Sequence, residues 1–253
     1  MSDASTSTAV TGIPVRVKGL SKSFRDQVVL RGIDLEITPG ELIVLMGPSG
    51  SGKSVFLRHL IGLETPDSGE VLLDGQPVTE ESREKLRLAM VFQSGGLLNS
   101  LTVAQNVGLY LSEHRLAKPG EIARIVAEKL ALVRLPPEAA EKLPTELSGG
   151  MRKRVAIARA LTMDPQLILY DEPTAELDPL VALAIGREIL ALNRRTHATT
   201  VVVTHDRDLA FGIAHRIAFL TDGRIQALGT PDQIRAHDNP TLREFLAADF
   251  STH

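Results

Sequence analysis

Residues 42–57 read Leu42-Ile43-Val44-Leu45-Met46-Gly47-Pro48-Ser49-Gly50-Ser51-Gly52-Lys53-Ser54-Val55-Phe56-Leu57. The first five are apolar without a break and stand between Gly40 and Gly47, the pattern of a strand buried on both faces of a parallel sheet. The next eight fit G-x-x-x-x-G-K-[ST], and the apolar spacing from Val55 to Leu60 predicts a helix. Strand, glycine loop and helix in this order are the context in which the motif counts as a phosphate-binding loop. The glycines let the backbone from Gly47 to Gly52 curl so that its N–H groups point inward, opening onto the positive end of a helix. Lys53 reaches the β- and γ-phosphates in such a loop, and the Ser54 hydroxyl ligates Mg²⁺. A bound nucleotide is the expectation.

Composition narrows the remaining classes. The chain has 253 residues, 43% of them hydrophobic, enough for a large core with a subdomain. Lys and Arg number 28 against 31 Asp and Glu, so no basic excess calls for nucleic acid. The absence of cysteine excludes disulfides and thiolate metal sites. No apolar run approaches the ~18 residues that cross a bilayer. Met1 to Ile13 lacks the charged start and apolar block of a signal peptide and is expected to be a flexible tail.

Outward from the loop, Val15 to Leu20 and Val28 to Ile37 alternate apolar and polar residues and read as antiparallel strands. Phe24 falls in the turn between them, where an exposed ring can stack on adenine. A short strand pair, Glu70 to Leu73 and Pro77-Val78, surrounds the Asp74-Gly75 turn. Leu88 to Phe92 is an apolar run ending at Gln93, and Ser94-Gly95-Gly96-Leu97-Leu98 reads as a flexible, unusually apolar loop. From Thr102 to Leu161 the pattern turns helical, over Val103 to Leu111, Glu121 to Leu132, Pro137 to Lys142 and a last helix from Leu147 to about Thr162. That last helix places Arg152, Lys153, Arg154 and Arg159 on one side and Val155, Ile157, Ala158 and Leu161 on the other. Strands resume at Leu167 to Tyr170, before Asp171-Glu172-Pro173, and at Thr199 to Val203, before Thr204-His205-Asp206. Pro179 to Asn193 and Thr241 to Ala247 read as helices, and Ile217 to Leu220 pairs with Ile225 to Leu228 across Asp222-Gly223.

The phosphate loop, Gln93, Asp171-Glu172 and His205 thus all fall at strand ends, on the edge where parallel sheets bind ligands. Asp171 suits Mg²⁺, and Glu172 beside it is placed to orient and deprotonate water attacking the γ-phosphate. Leu147-Ser148-Gly149-Gly150-Met151 resembles the signature motif of ATP-binding cassette (ABC) ATPases, and the similarity extends from Val15 to Gly229. The resemblance implies an α/β fold: a P-loop NTPase, RecA-like core with a parallel sheet, an antiparallel β subdomain and an inserted α-helical subdomain. It divides the chain into a tail (1–13), the cassette (14–248) and a short tail (249–253). Within the cassette, 14–93 and 166–231 form the nucleotide-binding core, 94–165 the helical subdomain and 232–248 a C-terminal helical segment.

By the same resemblance Phe24 stacks on adenine, Gln93 is the Q-loop glutamine and a Mg²⁺ neighbour with Ser54 and Asp171, Glu172 is the catalytic glutamate, and His205 steadies the γ-phosphate. Ala175-Glu176-Leu177-Asp178 is the D-loop, with Asp178 its carboxylate. Ser148, Gly149 and Gly150 open a helix, and their N–H groups make a second anion site. The resemblance implies that this site acts in trans, in a head-to-tail homodimer holding ATP and Mg²⁺. Met151 stands where Gln is common, Ala175-Glu176 where Ser-Ala is frequent, and Val55 where a hydroxyl residue is usual. None of these removes a group needed for hydrolysis.

Within the family, Phe92 to Val103, the signature and Arg154 to Ala160 most resemble the ATPases of Mla-type phospholipid transporters. The resemblance implies integral membrane permeases as partners, with an MCE-type lipid-binding protein and, in related systems, a small STAS-domain protein. The chain would then sit on the cytoplasmic side of the inner membrane. Transport of another cargo, or a soluble cassette ATPase, stays open.

Overall fold

In the structure, a computed structural model that describes residues 12–248, the chain opens with β1 (Val15–Phe24), β2 (Gln27–Ile37) and β3 (Leu42–Met46). Then come α1 (Lys53–Leu60), β4 (Ser68–Leu73), β5 (Gln76–Pro77), α2 (Glu80–Lys85) and β6 (Leu88–Val91). The helical stretch is α3 (Val103–Glu113), α4 (Pro119–Leu132), two 3-10 turns (Pro137–Glu141 and Pro144–Glu146) and α5 (Gly149–Leu161). The chain returns through β7 (Leu167–Asp171), α6 (Pro179–Thr196), β8 (Thr199–Thr204) and α7 (Arg207–Ile213). It continues with β9 (Arg216–Thr221), β10 (Arg224–Gly229), α8 (Pro231–Arg235) and α9 (Pro240–Ala247).

One sheet has the order β2-β1-β4-β5 and is antiparallel; the other runs β10-β9-β3-β8-β7-β6, parallel except for the β9–β10 pair. The uninterrupted apolar run of β3 has its explanation in this order. Leu42, Val44 and Met46 point into a core shared with α5, α6 and α9, whereas Ile43 and Leu45 point into a second core with β1, β2 and α1. A strand with period two and a core on each side needs apolar residues at every position.

β6 and β7 are parallel neighbours, so a crossover must join them. The whole block from α3 to α5 is that crossover. Its entry is organised by one side chain, the fully buried Asn106 of α3. Asn106 Oδ1 accepts from Leu98 N at 2.8 Å, while Nδ2 donates to the carbonyls of Leu98, Leu101 and Thr102. Asn106→Ala takes the partner from the Leu98 N–H and from the Leu101 carbonyl, while the Leu98 and Thr102 carbonyls keep backbone donors. We expect it to cost about 2 kcal/mol or more, read as a lower urea midpoint.

Several expectations need correction. The Gly95–Leu98 loop is held at its backbone: Gly95 N donates to Phe92 O, and the Gly95 and Gly96 carbonyls accept from Arg159. Phe24 is the last residue of β1, not part of the turn, because the turn takes only Arg25, at φ +53°, and Asp26. The basic residues of α5 do not share one outward side, since Lys153 is buried and Arg154 and Arg159 are drawn onto Glu188 and the Gly95-Gly96 carbonyls. The expected tail runs too far, because Ile13 is buried and its carbonyl accepts from Thr199 Oγ1 at 2.6 Å. The rest of that tail, 1–11, and the one at 249–253 lie outside the described residues. The short helices α2 and α7 span too few residues to carry an apolar period and are absent from the sequence reading, whereas α8 opens the expected C-terminal helical segment. Among the described residues no helix is long and apolar enough to cross a membrane.

Candidate active site

β3, β6, β7 and β8 are parallel, so the loops that leave their C-terminal ends gather along one edge. After β3, two constraints select glycine. A Cβ on Gly47 would lie 2.0 Å from the Leu220 carbonyl, and Gly52 caps α1 at φ +101°. Gly50, at φ +80°, supplies the remaining left-handed turn of the loop. α1 starts at Lys53 with no acidic residue in its first turn and no side-chain cap, so its N-terminal donors stay available to an anion. Ser51 Oγ is buried beside the loop without a protein partner. The loop therefore fits a polyphosphate by its backbone and by an orphaned hydroxyl. Pro48 and Ser49 form its exposed rim.

Lys53 is 6% exposed; Nζ donates to the Gly47 and Pro48 carbonyls at 2.8 and 3.0 Å and lies 3.6 Å from Glu172 Oε1. Burial holds its ammonium below the usual lysine range, and Glu172 pulls the other way. Ser54 Oγ donates to Asp171 Oδ1 at 2.8 Å. Asp171 is also buried, which pushes its carboxyl above the usual range despite that hydrogen bond. A hydroxyl and a buried, poorly compensated carboxylate are hard oxygen donors of the kind Mg²⁺ takes in ones and twos alongside substrate phosphates. Among the described residues no cluster of three or more His, Asp or Glu forms an all-protein metal cage.

Glu172 sits at φ +46°, and its amide donates to Val203 O at 3.0 Å. A non-glycine residue in the left-handed region at a strand end is a strained conformation, held here by contacts on both sides of the carboxylate. Oε2 accepts from His205 N at 3.3 Å and lies 3.0 Å from His205 Nδ1. Glu172, His205 and Gln93 line a cavity of about 570 Å³ together with Thr174, Ala175, Glu176, Asp206, Arg207 and Asp208. Thr174 and Asp206 escaped the sequence reading; Thr174 Oγ1 donates to Asp206 Oδ2 at 3.4 Å, and Asp206 caps α7 through Leu209 N. The acidic helix start after His205 was the available signal.

Two expected features, the Phe24 ring and the signature segment with the neighbouring D-loop, stand apart from this convergence. Phe24, 40% exposed, ends β1 with Lys22 Nζ 5.2 Å from its ring centre. The β1–β2 hairpin reaches the phosphate loop through Val29 and Leu30, which pack over Gly52. The signature segment lies on α5: Ser148 caps it by accepting from Met151 N, leaving the Gly149 and Gly150 amides as orphan donors. Gly149 and Gly150 pack against Leu177 and Val181, so the signature adjoins the D-loop and the first turn of α6. Asp178 caps α6 by accepting from Leu180 N at 2.9 Å. Met151 is half-buried against the core.

A phosphate loop after one strand, a carboxylate pair after another and a histidine after a third, beside a glycine-opened helix on an inserted helical block, define a P-loop ATPase cassette. Comparison with known proteins gives the family. A family model described as ABC transporter matches residues 30–175. The sulfate/thiosulfate import ATP-binding protein CysA of Caulobacter vibrioides is 44% identical over 229 residues, 89% of this chain and 67% of that protein. The probable ribonucleotide transport ATP-binding protein mkl of Mycobacterium leprae is 40% identical over 240 residues, 93% of this chain and 69% of that one. Among solved structures, the dimeric bacterial ABC transporter cassette MJ0796 superposes with a TM-score of 0.78 at 33% identity, covering 86% of this chain and 98% of that one. Its dimeric post-hydrolysis state with ADP and Pi gives 0.77 at 34% identity, with the same coverage. The chain belongs to the ABC transporter family. It is an ABC ATPase, the ATP-binding subunit of a transporter.

Proposed function

We propose that this chain energises phospholipid movement between the inner and outer membranes as the ATPase of an Mla-type system. The observation that carries the ATPase half is the meeting of Lys53, Glu172 and His205, with Ser54 on Asp171, at one sheet edge. The phospholipid half rests on the likeness of residues 92–103 and of the Met-bearing signature to Mla-type ATPases.

In this reading two chains close head-to-tail over two ATP molecules. Gly47 to Ser54 bind the phosphates, Phe24 stacks on adenine, and the Ser148–Met151 segment donates to the partner's nucleotide. Ser54 and Asp171, with Gln93 nearby, would hold Mg²⁺, which would supply positive charge to the phosphoryl oxygens. Glu172 takes the proton of the attacking water, and His205 orients Glu172 and faces the γ-phosphate. Asp178 keeps the D-loop in register with α6. The closing motion passes through the helical block to permease subunits, which hold the chain at the cytoplasmic face of the inner membrane. An MCE-type lipid-binding protein completes the assembly, with a STAS-domain protein in some systems.

Leu98, 47% exposed on the loop that Asn106 secures, is the expected permease contact. Leu97 is less suitable for a test because it packs against the core. Leu98→Asp should abolish co-purification of a permease and leave nucleotide affinity unchanged; loss of both would remove the assignment. The likeness to CysA favours a second reading, import of a small oxyanion. Affinity purification from detergent-solubilised membranes separates the two. An MCE-type protein and phospholipid beside the permease support the first, and a permease without either supports the second.

A further inference from the structure

The basic residues of α5 are turned back into their own chain. Lys153 is 7% exposed, and its Nζ donates to the carbonyl of Gln93. Arg159, nearly two turns further along, donates Nη1 to Gly96 O at 2.7 Å and Nη2 to Gly95 O at 2.9 Å. Carbonyls of the loop that carries Gln93 are therefore fastened to the helix whose first turn is the signature. The two contacts differ in kind. Arg159 closes a fork on two loop carbonyls away from the carboxylates. Burial holds the Lys153 ammonium below the usual lysine range, while the charges of Glu176, Glu172 and Asp171 pull the other way. Lys53 approaches Glu172 from the phosphate loop, at 3.6 Å, whereas Lys153 feels that carboxylate only as a more distant charge, from the helical block.

We propose that Lys153 is a positioning residue for hydrolysis, holding the Gln93 peptide against the signature helix so that Gln93 faces Glu172. The inference rests on the head-to-tail reading for one consequence. In that arrangement α5 meets the partner's nucleotide at Gly149-Gly150 and its own chain's Gln93 through Lys153. At 1.5 Å of rise per residue the two contacts are only about 5 Å apart along the helix axis. One short rigid element then links the two nucleotide sites, and a shift at its first turn must move the Gln93 peptide. Lysine suits this position, because an ammonium on a flexible stem follows a moving carbonyl while keeping its charge near the carboxylates. A neutral side chain of the same length would keep the packing and lose both.

The test compares Lys153→Met, Lys153→Gln and Lys153→Arg in the full chain. Steady-state ATPase rates give kcat and KM, a fluorescent ATP analogue gives affinity, and thermal melting reports folding. Lys153→Met is expected to lower kcat by ~10- to 100-fold, the scale of a misplaced catalytic group, with KM and analogue affinity within about threefold of the parent. Lys153→Arg should recover most of the kcat, and Lys153→Gln, which keeps a donor without charge, should fall between them. Unchanged kcat in Lys153→Met overturns the proposal. So does a loss of analogue affinity parallel to kcat, or a failure of Arg to rescue. If Lys153→Met does not fold, Lys153→Gln and Lys153→Arg carry the same comparison. Sedimentation of Glu172→Gln with ATP, with and without Lys153→Met, separates this inference from the dimer reading. A dimer in both supports positioning, and a dimer lost only with Lys153→Met makes Lys153 an interface residue and overturns it. No dimer in either removes the head-to-tail reading, and kcat against KM still decides on Lys153.

Discussion

Glu172→Gln is expected to bind ATP with near-parental affinity, to sediment as a dimer in its presence and to hydrolyse it at least ~100-fold more slowly, the lower end of what a general base contributes. The geometry predicts this division of effects. The amide of Gln keeps an acceptor for His205 N, 3.3 Å from Oε2 in the parent, and matches the carboxylate in volume. The φ of +46° at residue 172 is unaltered by the exchange. The exchange removes the charge that meets Lys53 Nζ at 3.6 Å and the base that takes a proton. Phosphate binding by the loop backbone and α1 does not depend on either. A colorimetric phosphate assay, analogue titration and sedimentation with ATP decide the matter. Turnover at the parental rate would assign the base to another residue, with His205 the nearest alternative.

Asp171→Asn combines a loss with a gain. Hydrolysis is expected to fall by about 100-fold or more, since in the proposed function Asp171 would be an anionic ligand of Mg²⁺. In the absence of nucleotide, the same protein melts a few degrees higher near neutral pH. The gain follows from burial, which raises the Asp171 carboxyl above its ordinary value more than the Ser54 hydrogen bond lowers it. Between the ordinary and the raised pKa the native state binds more protons than the unfolded chain. Stability therefore falls as pH rises through that window, and the penalty is complete above it. Asn carries no such penalty, keeps an acceptor for Ser54 Oγ, and leaves Glu172 as the carboxylate nearest Lys53. The difference in melting temperature should shrink on acidification below the ordinary carboxylate range, where Asp171 is protonated in both states. A lower melting temperature at neutral pH, or a gap that widens in acid, would refute this account. Function here is held at a cost in stability, as is usual for charged active sites.

The strand, glycine loop and helix at 42–60 were legible because three independent local patterns agree over a short span. The strand-end positions of Gln93, Asp171 and His205 were legible for the same reason, since each polar residue follows an apolar run. Lys153 was not. Along the sequence Lys153 is one of several basic residues of α5, and only the folded chain reveals that Lys153 reaches Gln93 and Arg154 reaches Glu188. Asn106 escaped notice because a buried asparagine looks like a surface one until its acceptors, Leu98, Leu101 and Thr102, are brought together. The Glu172–His205 contact joins residues 33 apart in sequence and depends on the β7–β8 pairing, which no local pattern encodes.

The placement of β3 between β8 and β9 bears on how the protein is made. Leu42 to Met46 pair with Thr200 to Thr204 on one side, and Ile43 to Met46 with Arg216 to Phe219 on the other. Gly47, the first residue of the phosphate loop, rests against Leu220. The ribosome releases β3 early and its neighbours late. At the usual speed of synthesis the gap lasts roughly ten to thirty-five seconds. Through that interval five adjacent apolar residues have no strand beside them, and ATP cannot stabilise the nascent chain because the floor of its binding loop does not yet exist. The segment that makes this protein an ATPase is therefore also the one most in need of protection from aggregation while the chain is unfinished.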